Sequence, residues 1–383
     1  MKTNPSSITL KALAGEMGLG TMTVSRALSG RGSVAPETRR KVLEAARRRG
    51  YEPNPHARTL AQGRRDELIG IFAPTVFSGI GLERLTSMHR VLASRGFEVP
   101  IYTYGSVSSS ESENEALLKM LCRQKPRAIV DLSVDATPAT AKELARYVEG
   151  GGVLVSYRSP TQAPHCGDSV FLDYAGAAYS AVRHLIELGH RRIGFSLGNG
   201  HHYLSGFERA LREAGTERRA EWEIDGLFLE LGGAELAKRF LAMAERPTAW
   251  CIVNDASASA FGNGVLRAGV RVPHDVSVVG FDDTAVAQTA IVPLTTVRQP
   301  VQRIAEAVAQ MLLSRFEQGN AKPPRIETIC AELVVRESSA PPSVATSKLV
   351  TGQQAVPLLP QSLTPALANG WPEVKTYRPG GQP

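Results

Sequence analysis

Along most of the chain, apolar residues fall in short β-rich runs separated by stretches with helical spacing. The runs 68–73, 97–102, 127–132 and 152–155 read as four strands, with helical windows near 80–95, 111–124 and 138–149. A second series follows at 169–172, 192–196, 248–253 and 276–281, with helices near 175–188, 203–214, 232–245 and 255–268. Strands alternating with helices predict parallel sheets covered on both faces. Two such series predict two doubly wound α/β subdomains with a ligand crevice at the carboxyl ends of their strands.

The first residues carry a different pattern. Thr9 precedes Leu10, Leu13, Ala14 and Met17, an i, i+3, i+4, i+7 stripe with a hydroxyl at its N-cap. Gly18-Leu19-Gly20 breaks that helix, and Thr21 to Leu28 starts another. Two short helices joined by a Gly-containing turn make a helix-turn-helix signature. On a helical wheel Val24, Ala27 and Leu28 gather on one side, and Thr21, Met22, Ser25 and Arg26 on the other. The second face suits a DNA major groove, because Arg26 can fork onto guanine and Met22 can meet a thymine methyl. A third helix from Pro36 to Arg49 turns Val42, Leu43 and Ala46 inward and offers Thr38 and Arg39 to phosphates, with Thr9 and Thr23 as further hydroxyl contacts. In the segment from Tyr51 to Gly63, Asn54 can cap a short helix and touch phosphate. Arg58, Leu60 and Ala61 of that segment are placed at a minor groove, with Leu60 as the wedge. So short a helix is expected to form only against a partner.

Charge sharpens the division. The 383-residue chain has a formal charge of +7, yet residues 1–65 hold 13 Lys/Arg against 4 Asp/Glu. A basic head on a mildly acidic body points to a polyanion partner for the head. No apolar run is long enough to span a membrane. The N-terminus leads into no apolar signal segment, and the four cysteines form no C-x-x-C pair, so a reduced, cytoplasmic protein is expected. The expected organisation is a small all-α head at 1–50, a hinge at 51–65 and a two-subdomain body at 66–339. The subdomains are expected at 66–160 plus 298–322 and at 161–297 plus 323–339, with a disordered Pro-rich tail at 340–383.

The pairing of Ile8-Thr9-Leu10, Val24-Ser25-Arg26, Thr38-Arg39, Tyr51-Glu52-Pro53-Asn54 and Leu60-Ala61 resembles the headpiece and hinge of LacI-family bacterial transcription regulators. His184 to Gly194, Asn254-Asp255, Val272 to Asp283 and Pro293 to Gln299 extend the resemblance through the body. It implies a helix-turn-helix domain followed by a periplasmic-binding-protein-like effector domain. It also implies a homodimeric repressor on a palindromic double-stranded operator, with a small-molecule effector acting as inducer or co-repressor. No cofactor, metal, membrane or catalytic residue is implied. Asn254, Asp282 and Gln299 match effector positions, and Thr75, Phe77, Tyr157, Phe171 and Tyr203 are placed in the same pocket.

The chain departs from the family pattern at several points. Gly20 replaces a capping Ser, Ala12 a common Asp and Ala35 a common Ser; Gly15 weakens the first helix. In the pocket, Tyr203 stands where an Arg is common, and Tyr157-Arg158 replaces Asp-Arg. Arg158 is assigned the role of anion partner. The Met22-to-Arg26 segment and Tyr104-Gly105 look like the gluconate-repressor branch, which favours a sugar or sugar acid.

Two rival readings stand beside this one. Gly194-Phe195-Ser196-Leu197-Gly198 satisfies the G-x-S-x-G nucleophile elbow of α/β-hydrolases, although no His follows His274. A solute-binding protein would share the body but not the head. The adjacent His201 and His202 diverge too much to hold one metal.

Overall fold

The computed structural model describes residues 9–29, 34–49, 51, 65–75, 79–105, 111–133, 137–158, 166–198, 203–225, 229–319 and 323–343. Asn54, Arg58, Leu60, Ala61, Phe77, His201, His202 and the chain beyond 343 lie outside the described residues.

Three helices form the head: α1 (Leu10–Glu16), α2 (Thr21–Ser29) and α3 (Pro36–Arg48). Thr9 caps α1, its Oγ1 accepting from the Ala12 amide at 3.2 Å. Gly18, at φ +64°, takes the left-handed conformation that turns the chain out of α1. The helices close on Leu13, Ala14, Val24, Ala27, Val42, Ala45 and Ala46. Ala45 therefore fills the inward position expected of Leu43, which is exposed. The stripe on α3 runs i, i+3, i+4 from Val42, and Leu43 sits about 100° off it. Gly15 is exposed, and a Cβ there would meet nothing within 4 Å. Gly15→Ala should therefore stabilise the head by about 1 kcal/mol. Calorimetry would read this as a higher melting temperature for the head alone.

The body contains β1 (Arg65–Pro74), α4 (Gly79–Ala93), β2 (Ile101–Tyr104), α5 (Glu111–Arg123), β3 (Pro126–Asp131), α6 (Pro138–Glu149), β4 (Val153–Tyr157), β5 (Asp168–Leu172) and α7 (Tyr174–Glu187). It continues with β6 (Ile193–Gly198), α8 (Leu204–Glu213), β7 (Glu223–Asp225), α9 (Leu229–Ala242), β8 (Ala249–Ile252), α10 (Asp255–Arg267) and β9 (Ser277–Asp282). The last elements are α11 (Ala285–Thr289), β10 (Thr295–Arg298), α12 (Val301–Gln318), β11 (Ile326–Ile329) and β12 (Glu332–Val334). They build two six-stranded sheets, ordered β11-β5-β4-β3-β1-β2 and β12-β10-β9-β8-β6-β7. Among the described residues every strand pairing is parallel except β10 with β12. In the first sheet Ile71, Val130 and Val155 face α4 and α12, while Phe72, Ile129 and Leu154 face α5 and α6. That strict alternation is why each strand reads as an unbroken apolar run.

The sheet order corrects the expected subdomain boundaries. β5 and β11 pair with each other in the first sheet, Ile326 opposite Ser169 and Ile329 opposite Leu172. Neither belongs to the second subdomain, as 161–297 plus 323–339 requires. Asp168 fixes this arrangement: it is buried, and it accepts from Arg315 Nε of α12 at 2.9 Å and from the Arg325 amide at 2.8 Å. Local patterning marks a strand but not its partner, so a strand at a crossover is assigned to the wrong sheet. The chain crosses between sheets three times, after β5, after β10 and between β11 and β12. Nor does order stop at 339: the Ala340 carbonyl lies 2.9 Å from His190 Nε2, and the Ala340 amide donates to Ser277 Oγ at 3.1 Å.

Candidate DNA-reading face and effector crevice

On α2 the buried side is Val24 and Ala27, which fixes what remains outside. Met22 is 66% exposed, Thr21 and Arg26 are exposed, and Thr23 and Ser25 are half-buried. An apolar side chain held out beside an arginine suits a thymine methyl next to a guanine. Arg39 on α3 is exposed and Thr38 half-buried, with Arg47, Arg48 and Arg49 further along the helix. Arg49 is tied to Glu16 at 2.6 Å, which joins the ends of α1 and α3.

The crevice forms where β4, β9 and β10 end and where α4, α7 and α8 begin or pass. Tyr157 closes β4, and its hydroxyl lies 3.1 Å from that of Tyr174, the first residue of α7. The Tyr174 ring stands edge-on to Tyr203 with centroids 5.1 Å apart, and Tyr203 is edge-on to Phe281 at 5.0 Å. Asp282, at φ +112°, ends β9 and accepts from Gln299 Nε2 at 2.6 Å. Asp282 and Gln299 are both buried, and Gln299 Oε1 has no partner among the described residues. Burial, then the nearby Asp255 carboxyl, pushes the Asp282 carboxyl well above the usual range; Arg84 and the Gln299 bond oppose this. Burial likewise raises Asp255 to about 6, against hydrogen bonds from Thr296 and Thr284. Burial pushes Tyr157 and Tyr203 far above the ordinary phenol value, so both hydroxyls stay neutral.

Of the residues assigned to the pocket from sequence, Tyr157, Tyr203, Asp282 and Gln299 come together. Asn254 is buried beside them, but its Oδ1 caps α10 by accepting from the Ser257 amide at 2.7 Å. Three assignments need correction. Arg158 does not reach the crevice as an anion partner, because its Nε donates to buried Asp131 at 3.1 Å and its Nη2 to the same oxygen. Phe171 lies on the other side of the first sheet: Tyr157 pairs with Val170, and strand alternation turns the next residue away. Thr75 is exposed just past β1, its hydroxyl donating to the Tyr104 carbonyl at 3.2 Å.

The residue missed from sequence is Arg84. Its guanidinium sits 5.0 Å over the Tyr157 ring, and its Nε is shielded from solvent without a hydrogen-bond partner among the described residues. Burial opposes its charge, but Tyr157, Tyr174 and Asp282 outweigh that and the pKa is raised. The signal was present: Arg84 lies one turn from both Ile80 and Met88, on the buried stripe of α4.

Ser196 sits within β6, paired opposite Ile252, and is 1% exposed. A nucleophile elbow needs its Ser on a sharp strand-to-helix turn, so this segment is a strand interior instead. Among the described residues no group of His, Cys, Asp and Glu is arranged to hold a metal, and no helix is long and apolar enough to cross a membrane.

Residues 9–54 match the model for bacterial regulatory proteins of the lacI family, and residues 182–339 match a periplasmic binding protein-like domain. The catabolite control protein A of Priestia megaterium is 31% identical over 322 residues, covering 81% of this chain and 92% of that protein. The structure of a complex of the transcriptional regulator CelR with cellobiose is 28% identical, with a TM-score of 0.65 over 87% of this chain and all of the other. A Lac repressor dimer bound to operator and an anti-inducer shares the fold, with a TM-score of 0.75 at 23% identity over 88% of this chain and all of the other.

Proposed function

This chain belongs to the LacI family of bacterial regulatory proteins, and on that premise we propose how it works as a sequence-specific transcriptional repressor. Two protomers each lay α2 in a major-groove half-site of a palindromic operator, since two-fold protein symmetry demands two-fold DNA symmetry. The observation that carries this reading is the exposed Met22 beside Arg26, on a helix whose other face is the head's core. Thr21, Met22, Ser25 and Arg26 read bases. Thr9, Thr23, Thr38 and Arg39 hold phosphates, as does Asn54. Arg58, Leu60 and Ala61 of the hinge take the minor groove. Ser196 being sealed in a strand, the chain is read as a regulator and not as an enzyme.

The crevice takes a small effector. It lies where strands of both sheets end, so a ligand there touches both subdomains at once. Differential affinity for two arrangements of those subdomains is what lets a ligand switch DNA binding, as inducer or as co-repressor. The CelR relative was solved with cellobiose, which supports a carbohydrate-like ligand class for this fold.

The test of the head is a pair of substitutions followed in DNA titrations. Arg26→Ala should lose about 1–3 kcal/mol and relax base preference at one symmetric pair of positions. Arg39→Ala should weaken all sequences alike and flatten the salt dependence by about one charge. A sequence-selective loss with Arg39→Ala would contradict the phosphate role.

A further inference from the structure

Two buried polar atoms in the crevice have no hydrogen-bond partner among the described residues, and they are of opposite kind. Arg84 Nε is a donor on a cation, and Gln299 Oε1 is a neutral acceptor. In this orientation Gln299 gives its Nε2 to Asp282 at 2.6 Å. Unmet groups of this sort cost stability unless something completes them, and a charged one costs more than a neutral one. Among the described residues, no carboxylate lies within ion-pair distance of Arg84. The rings of the site are Tyr157 under the guanidinium and Tyr174, Tyr203 and Phe281, whose contacting centroids are 5.0 to 6.0 Å apart.

We propose that the effector of this crevice is a ring-bearing monocarboxylate whose acid group meets Arg84 and whose hydroxyl donates to Gln299 Oε1. The inference rests on reading the crevice as the effector site and names the ligand class for it. A neutral sugar leaves the guanidinium uncompensated, whereas a carboxylate forms a charge-assisted hydrogen bond with it. The aromatic walls take the flat body of the ligand, either an aryl ring or the C–H face of a pyranose. Asp282 holds Gln299 Nε2, and burial, then Asp255, pushes its carboxyl above the usual range against Arg84 and the Gln299 bond. Arg158, the other cation of this region, is satisfied by Asp131 and plays no part.

The measurement is isothermal titration of the full chain with two acids and their neutral counterparts. Glucuronate is paired with glucose, and 4-hydroxybenzoate with 4-hydroxybenzyl alcohol. One of the acids should bind, and its neutral counterpart should bind at least about tenfold more weakly. Which acid responds separates a sugar-acid source from an aromatic one. Arg84→Gln should weaken the acid about 10- to 100-fold, and Arg84→Lys less. Equal binding of acid and neutral partner overturns the proposal, as does unchanged acid affinity in Arg84→Gln or no binding of either acid. Operator binding that responds only to glucose or another neutral sugar would overturn the anion class and leave the regulator standing. Failure of the native chain to select any duplex would overturn the reading underneath.

Discussion

Asp168→Ala should destabilise the body by about 3–5 kcal/mol, the cost of stranding a buried cation by removing its partner. The Asp168 side chain is fully buried and that of Arg315 is 8% exposed. Both carboxylate oxygens are used: Oδ1 accepts from Arg315 Nη2 at 2.5 Å and from the Arg325 amide, and Oδ2 from Arg315 Nε and Arg325 Nη2 at 2.9 and 3.1 Å. One residue thereby ties β5, β11 and α12 together at a place where the chain passes between sheets. At a few degrees per kcal/mol, the melting temperature should fall by about 10 °C. The pH dependence has a definite sign. Burial raises the Asp168 pKa, but the Arg315 and Arg325 hydrogen bonds outweigh it, and the folded value lies below the ordinary one. The stabilisation is therefore present at neutral pH and is lost as pH falls through that depressed value. Thermal melts of native and substituted chains should converge in acid. A gap that does not narrow there would mean that Asp168 acts by packing alone.

Asp131→Ala should cost a similar amount, about 3–5 kcal/mol, by leaving Arg158 buried. The remaining contact of that guanidinium would be Ser133 Oγ at 3.3 Å. Replacing both partners, Asp131→Leu with Arg158→Met, should recover most of the loss, because apolar pairs of similar volume substitute well for buried ion pairs. Some deficit should persist, since the Ser133 amide now donates to Asp131 Oδ1 at 3.0 Å and would lose that acceptor. Denaturant midpoints of the three variants measure this directly. Arg158 being structural, the double variant should also keep its effector response; losing that response with the fold intact would return Arg158 to the ligand.

The same two networks show what the sequence could and could not reveal. Elements came through clearly because each writes a local signature. The i, i+3, i+4 stripes of α1 and α2, and the apolar runs of β1, β3 and β9, lie within a few residues of the expected spans. The face of α2 was legible for the same reason, since the burial of Val24 and Ala27 leaves Met22 and Arg26 outside. Sheet membership was not legible. Asp168 and Arg315 are 147 positions apart, and nothing in either neighbourhood announces the pair. The crevice was half legible. Tyr157, Asp282 and Gln299 stand at strand ends, where doubly wound folds bind ligands. Arg84 was overlooked because it sits mid-helix, although a lone charge on a buried stripe was there to be read. Arg158 was misassigned because a charge beside the pocket in sequence says nothing about which acid neutralises it in space.

The most direct measurement of the account is selection of random double-stranded DNA by the full chain and by Arg26→Ala, sequenced side by side. The native chain should enrich a two-fold symmetric consensus, and Arg26→Ala should keep its symmetry while losing preference at one symmetric pair of base pairs. An asymmetric consensus, no consensus, or an identical one from both proteins would contradict the claim that α2 reads operator DNA from a symmetric dimer.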